Sequence, residues 1–198
     1  GAVHVCISPG LRRRMQLAEP AASLGPMGSS RSVQLLSDNF ERVAQAVPGL
    51  VQDLTTAQLA WYPGPFANSM GWLVWHMGRV QDDHLAGIAE SEQVWIGQGG
   101  VDRVALPYDS RDIGYGQTPD LAHRLEVPGD LLSGYYAAVH TRTLQILEGL
   151  TDPEFDRIVD RNWDPPVTAA VRIVSVVNDV TQHLGQAAYV RGLLEARQ

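Results

Sequence analysis

The chain has 198 residues, 44% of them hydrophobic, and a formal net charge of -7. That length suits one domain with a substantial core, and that hydrophobic content excludes disorder of the whole chain. The acidic balance argues against nucleic acid as a main partner, since phosphate binding needs basic patches, and no apolar run is long enough to span a membrane.

Cys6 is the only cysteine, so no disulfide can staple the fold and no thiol cluster can hold a metal. Any metal site must use histidines and carboxylates. All 15 basic residues are arginine, a bias that suggests a high-GC genome. Residues 1–30 carry Arg12-Arg13-Arg14 and a Pro/Gly/Ser/Ala mixture without periodicity. They read as a flexible leader, with Met27 a plausible initiator, and residues 31–198 as the folded domain. The apolar stretch from Ala2 to Ile7 is too short for a secretory signal and precedes the arginines.

The first helix is predicted over Ser32–Val47, with Ser32 as cap and Pro48-Gly49 as stop. Leu50 to Leu59 reads as a further short helix capped by Thr55 or Thr56. Trp61-Tyr62-Pro63-Gly64-Pro65 cannot continue it. The second long helix begins at Asn68 or Ser69 and runs to about Ala89. Trp72, Leu73, His76, Val80 and Asp83 share one face, with His76 in its middle. Asp83 lies two turns beyond, about 10 Å along the axis, too far to share a metal with His76 but able to line the same groove.

Ser91 to Pro128 shows no long helical pattern and reads as a functional lid or a crossover. A third helix is predicted from Asp130 to about Gly149. Tyr136 and His140 form an i,i+4 pair on it, and a partly exposed histidine is the simpler reading of His140 than a further ligand. A short turn or helix follows from Thr151 to Val159, ended by Trp163-Asp164-Pro165-Pro166.

The last helix opens at about Thr168 and ends in Arg191-Gly192-Leu193-Leu194. Val176, Val177, Val180, Leu184 and Ala187 make its apolar stripe. Asp179 and His183, four apart, stack on one face near that stripe. A carboxylate and an imidazole one turn apart can hold a metal ion, with His76 as the best candidate for a third ligand. An ordinary ion pair or a half-buried histidine is the alternative for the pair, and a core histidine bonded to a backbone carbonyl is the alternative for His76. Four long amphipathic segments without a run of strands predict an all-α four-helix bundle.

Gly71-Trp72-Leu73-Val74-Trp75-His76, continuing Arg79-Val80-Gln81-Asp82-Asp83-His84, resembles the second-helix signature of the DinB/YfiT-like superfamily. Asp179-Val180-Thr181-Gln182-His183-Leu184-Gly185-Gln186, with Tyr189 and Arg191-Gly192, resembles its last-helix signature. The likeness covers about Ser32 to Ala196 and is greatest to actinobacterial members related to mycothiol-dependent maleylpyruvate isomerases. It implies a four-helix bundle of DinB/YfiT type with a long crossover between helices two and three. It also implies a divalent ion on His76, Asp179 and His183. Where many members have His, and the isomerase branch Glu, this chain has Asp179, whose shorter arm bears on affinity and metal preference.

Two neutral imidazoles and one carboxylate are the ligand count of a catalytic zinc site, with a position left for water or thiolate. Zinc is the expected ion, with nickel or iron as alternatives, and mycothiol is the co-substrate that the resemblance implies. The expected reaction is S-transfer to a small electrophile or a thiol-assisted isomerisation, in the cytoplasm, with a homodimer as the candidate assembly. Asp83, Gln186 and Arg191 are the candidates for orienting ligand or substrate. Arg79, Arg142 or Arg191 would meet a substrate carboxylate. A non-catalytic bundle that binds a metal or small molecule, and a metal-water hydrolase, are the competing readings.

Overall fold

The computed structural model describes residues 30–104 and 106–197. The leader reading therefore falls, Ser30 apart, outside the described residues. Ser30 belongs to the domain: its Oγ accepts from Val33 N at 3.3 Å and caps helix α1, Arg31–Val51.

The expected start at Ser32 and stop at Pro48 are both corrected. Pro48 lies inside α1, which stays helical to Val51 because tertiary contacts outweigh local propensity. Leu50 and Val51 are buried there. From the far end of the chain Arg191 Nη1 donates to the carbonyls of Leu50 at 2.6 Å and Gln52 at 3.1 Å. It thus serves the helix end, whose last carbonyls have no partner within the helix. Leu50 accordingly belongs to α1, not to the short helix α2, Thr56–Ala60, which Thr55 and Gln58 open with a capping box.

Helix α3, Met70–Ala89, starts where Ser69 Oγ accepts from Trp72 N at 3.2 Å. The crossover holds α4 (Val94–Gly97), α5 (Gly100–Arg103) and α6 (Pro119–Ala122). It leads to α7, Gly129–Glu148, and the single turn α8, Asp152–Phe155. A small antiparallel hairpin not anticipated from the sequence follows: β1 (Ile158–Asp160) pairs with β2 (Val167–Thr168). Thr168 then caps the last helix α9, Ala169–Glu195, accepting from Val171 N at 3.3 Å.

Among the described residues the fold is all-α apart from that hairpin. α3 packs most extensively on α9 and also on α7, and α1 packs on α7 and α9, which closes a four-helix bundle. Every residue from Ser69 to Asp82 is buried. A helix buried all round needs cover on its second face. The crossover contributes buried Trp95, Ala122, Leu125 and Val127 to the same core. The one inward face expected for α3 is thus only part of its buried surface. Among the described residues no helix is long and apolar enough to cross a membrane.

Candidate metal centre

The packing of α3 on α9 brings His76, Asp179 and His183 together. One ligand atom from each lies within 4.8 Å of the others. His76 Nε2 is 3.8 Å from Asp179 Oδ1, and His183 Nε2 is 3.7 Å from Asp179 Oδ2. The two imidazoles meet edge to face, with centroids 4.8 Å apart and planes at 80°. A tetrahedral ion with bonds of 2.0–2.2 Å would set its ligand atoms about 3.3–3.6 Å apart. Small side-chain rotations therefore suffice to close the three onto one ion.

Each imidazole is held at its outer nitrogen. His76 Nδ1–H donates to the carbonyl of Ile113 at 2.5 Å, and His183 Nδ1–H donates to Gln186 Oε1 at 2.7 Å. Both bonds fix the tautomer that leaves the Nε2 lone pair facing Asp179, which is how ligating histidines are prepared. His76 is 4% exposed. Burial pushes its pKa down; the Ile113 carbonyl and the Asp179 charge oppose that shift, and His183 adds to it. The buried ring therefore favours the neutral, ligating form.

Asp179 supplies the fit test. Its Oδ1 is shielded from solvent and has no hydrogen-bond partner among the described residues, while the side chain as a whole is 34% exposed. A buried carboxylate oxygen without a partner is costly. A cation between it and two neutral imidazoles would satisfy it and leave the exposed side of the carboxylate toward an incoming molecule. The donor set of two nitrogens and one oxygen fits a divalent ion of zinc type.

Trp72 walls the site. It stacks on His76 at 4.6 Å and 14°, and its ring centroid lies 6.5 Å from that of His183 at 86°. Gly114, at φ +90°, lies against the same residues. A Cβ there would come within 2.8 Å of both His76 Nδ1 and the Trp72 ring, so this position needs glycine for conformation and for space.

The other sequence candidates divide. Gln186 Oε1 accepts from His183 Nδ1–H at 2.7 Å, one turn further along α9. Asp83 is taken up by Gln93 Nε2 at 2.7 Å and His84 Nδ1 at 3.3 Å. It lines a separate cleft with Ser91, Asp160 and Arg172, away from the trio. Arg191 is buried against the end of α1, a structural place that corrects its reading as a substrate contact. Arg79 is fully buried, with Nε on the Asp112 carbonyl and Nη1 on Gln93. Arg142 bonds Gln145 on its own helix. His140 Nε2 pairs with Glu41 at 2.8 Å, which makes it a tie between α7 and α1.

Sequence reasoning missed Trp72, Asp112, Ile113, Gly114 and Gln117 as surroundings of the site. Periodicity gave Trp72 its face but not its partner. A backbone carbonyl such as that of Ile113 leaves no mark in a sequence.

A helical bundle with a His–Asp–His cluster between its second and fourth long helices defines the class of protein. Residues 39–187 match the model of the DinB superfamily, and the chain belongs to that superfamily. It is similar to a solved structure described as the conserved protein of locus from Enterococcus faecalis, at 30% identity and a TM-score of 0.79. That match covers 85% of this chain and 99% of the other. No curated protein matches.

Proposed function

We propose that this chain is a divalent-metal-dependent enzyme that acts on a small electrophile. Its co-substrate would be a low-molecular-weight thiol of mycothiol type, used in S-transfer or isomerisation. The observation that carries the metal part is the buried, partnerless Asp179 Oδ1 beside two imidazoles whose Nδ1–H groups are already engaged. The thiol part is supported by the likeness of the α3 and α9 motifs to the mycothiol-dependent branch of the superfamily.

When bound, zinc supplies a Lewis acid that lowers the pKa of a thiol or water at neutral pH. The protein's part is positional. His76 and His183 offer Nε2, Asp179 adds one negative charge, and Gln186 keeps the His183 ring from turning. Trp72, 5% exposed, keeps water off one face of His76. Asp83 and Arg191 are given no part in the reaction. A cytoplasmic location accords with a reduced thiol co-substrate, and assembly as a homodimer is compatible with the scheme.

The test is turnover of a chlorinated aromatic by the zinc-loaded protein, with and without mycothiol. Conjugation that needs both zinc and thiol is the expected result. Turnover of esters or amides without thiol would favour a hydrolase. Retained zinc with no turnover on either panel would favour a binding protein.

A further inference from the structure

Trp72, His76 and Arg79 stand at steps of four and three on α3, which places them on one stripe. Each donates to a single short stretch of the crossover. Trp72 Nε1 donates to Gln117 Oε1 at 2.9 Å, His76 Nδ1 to the Ile113 carbonyl at 2.5 Å, and Arg79 Nε to the Asp112 carbonyl at 3.1 Å. The loop is itself held by one carboxylate: Asp112 Oδ1 accepts from Gly114 N and Oδ2 from Gln117 Nε2, both at 2.7 Å.

We propose that Asp112 is a positioning residue for the metal centre, holding the loop so that the Ile113 carbonyl keeps His76 in its ligating orientation. This rests on the reading of His76, Asp179 and His183 as metal ligands.

The polarity of the chain of bonds is forced. An indole N–H can only donate, so Gln117 must turn its oxygen to Trp72 and its amide nitrogen to Asp112. Position 112 must then accept from Gln117 and also from Gly114 N, and an ionised carboxylate accepts at both oxygens. Without that clip the Ile113 carbonyl is no longer fixed between the anchors at Trp72 and Arg79. His76 would lose the partner that sets its tautomer, and with it the pre-aimed Nε2. The Asp112 carboxylate bonds Gly114 and Gln117, not the trio, so it acts on His76 through the loop that carries Ile113, with its nearby charge as a weaker direct influence.

The experiment uses the full chain, with zinc binding followed by calorimetry and ligand geometry by the visible spectrum of the cobalt form. Asp112→Asn sets an amide N–H against either Gln117 or Gly114 N. It should weaken zinc about 10–100-fold and alter the cobalt spectrum, with helical circular dichroism retained. Adding Gln117→Glu restores the polarity, because a carboxylate at position 117 can accept both from Trp72 and from the new amide at position 112. The double variant should recover most of the affinity. Gln117→Glu alone opposes two carboxylates and should weaken zinc as well, so the proposal stays testable if Asp112→Asn does not fold. Zinc binding by folded Asp112→Asn equal to that of the unsubstituted chain would overturn the positioning role, as would a double variant no better than Asp112→Asn. No zinc binding by the unsubstituted chain would overturn the metal reading itself, and the role of Asp112 with it.

Discussion

Asp179 Oδ1 is buried, has no hydrogen-bond partner among the described residues, and stands 3.8 Å from Nε2 of His76. Two acceptors with no proton between them repel, so the arrangement is unfavourable by itself and becomes favourable around a cation. In this respect it differs from the tie between His140 and Glu41, where a proton on the imidazole completes a 2.8 Å bond.

Asp179→Ala should therefore act oppositely in the two states. Without metal it removes an unpaired buried acceptor and should stabilise the fold by about 1 kcal/mol. With zinc at about 100 times its Kd, the unsubstituted protein should gain about 2.7 kcal/mol and the variant nothing. Urea denaturation with zinc or with EDTA reads both. A variant that zinc still stabilises would count against Asp179 as a ligand.

Burial holds the His76 pKa below its unfolded value of 6.5. A base with a depressed folded pKa contributes stability that is present above the unfolded pKa and lost as pH falls toward the folded one. Metal-free protein should thus lose stability from about pH 6.5 downward. His76→Asn keeps a donor for the Ile113 carbonyl but cannot titrate, and should remove that part of the slope. Parallel melting-temperature profiles between pH 8 and 5 for the two proteins would contradict the assignment.

Arg191 gives a control with the opposite signature. Its guanidinium serves the carbonyls of Leu50 and Gln52 and bonds Glu195 at 3.0 Å. Arg191→Met should cost about 1.5–3 kcal/mol, the range for hydrogen bonds to a charged group, and leave zinc content per folded chain unchanged. Denaturant midpoints with metal analysis test this. A loss of zinc without a loss of stability would return Arg191 to the site.

The helices were legible where caps and periodicity agreed. Ser69, Thr55 and Thr168 cap as their side chains predict, and His76, Asp179 and His183 converge as helical spacing suggests. Pro48 misled because local propensity says nothing of an arginine 143 positions away along the chain that serves the helix end. Asp83 shared a face with His76 on the helical wheel, yet Gln93 of the crossover claimed it. The loop around Gly114 was unreadable for a different reason: its contributions to the site are a backbone carbonyl and a missing Cβ.

The central claim is that His76, Asp179 and His183 hold one divalent ion, and the most direct measurement is metal stoichiometry. The full chain, purified without an affinity-tag metal column and dialysed against zinc, should carry about one zinc per chain, with four-coordinate N/O ligation in its X-ray absorption spectrum. His76→Ala, Asp179→Ala and His183→Ala should each lose it, and double variants should lose little more, because the three act as one site. Full zinc occupancy in all three single variants, or none in the unsubstituted protein at saturating zinc, would contradict the account.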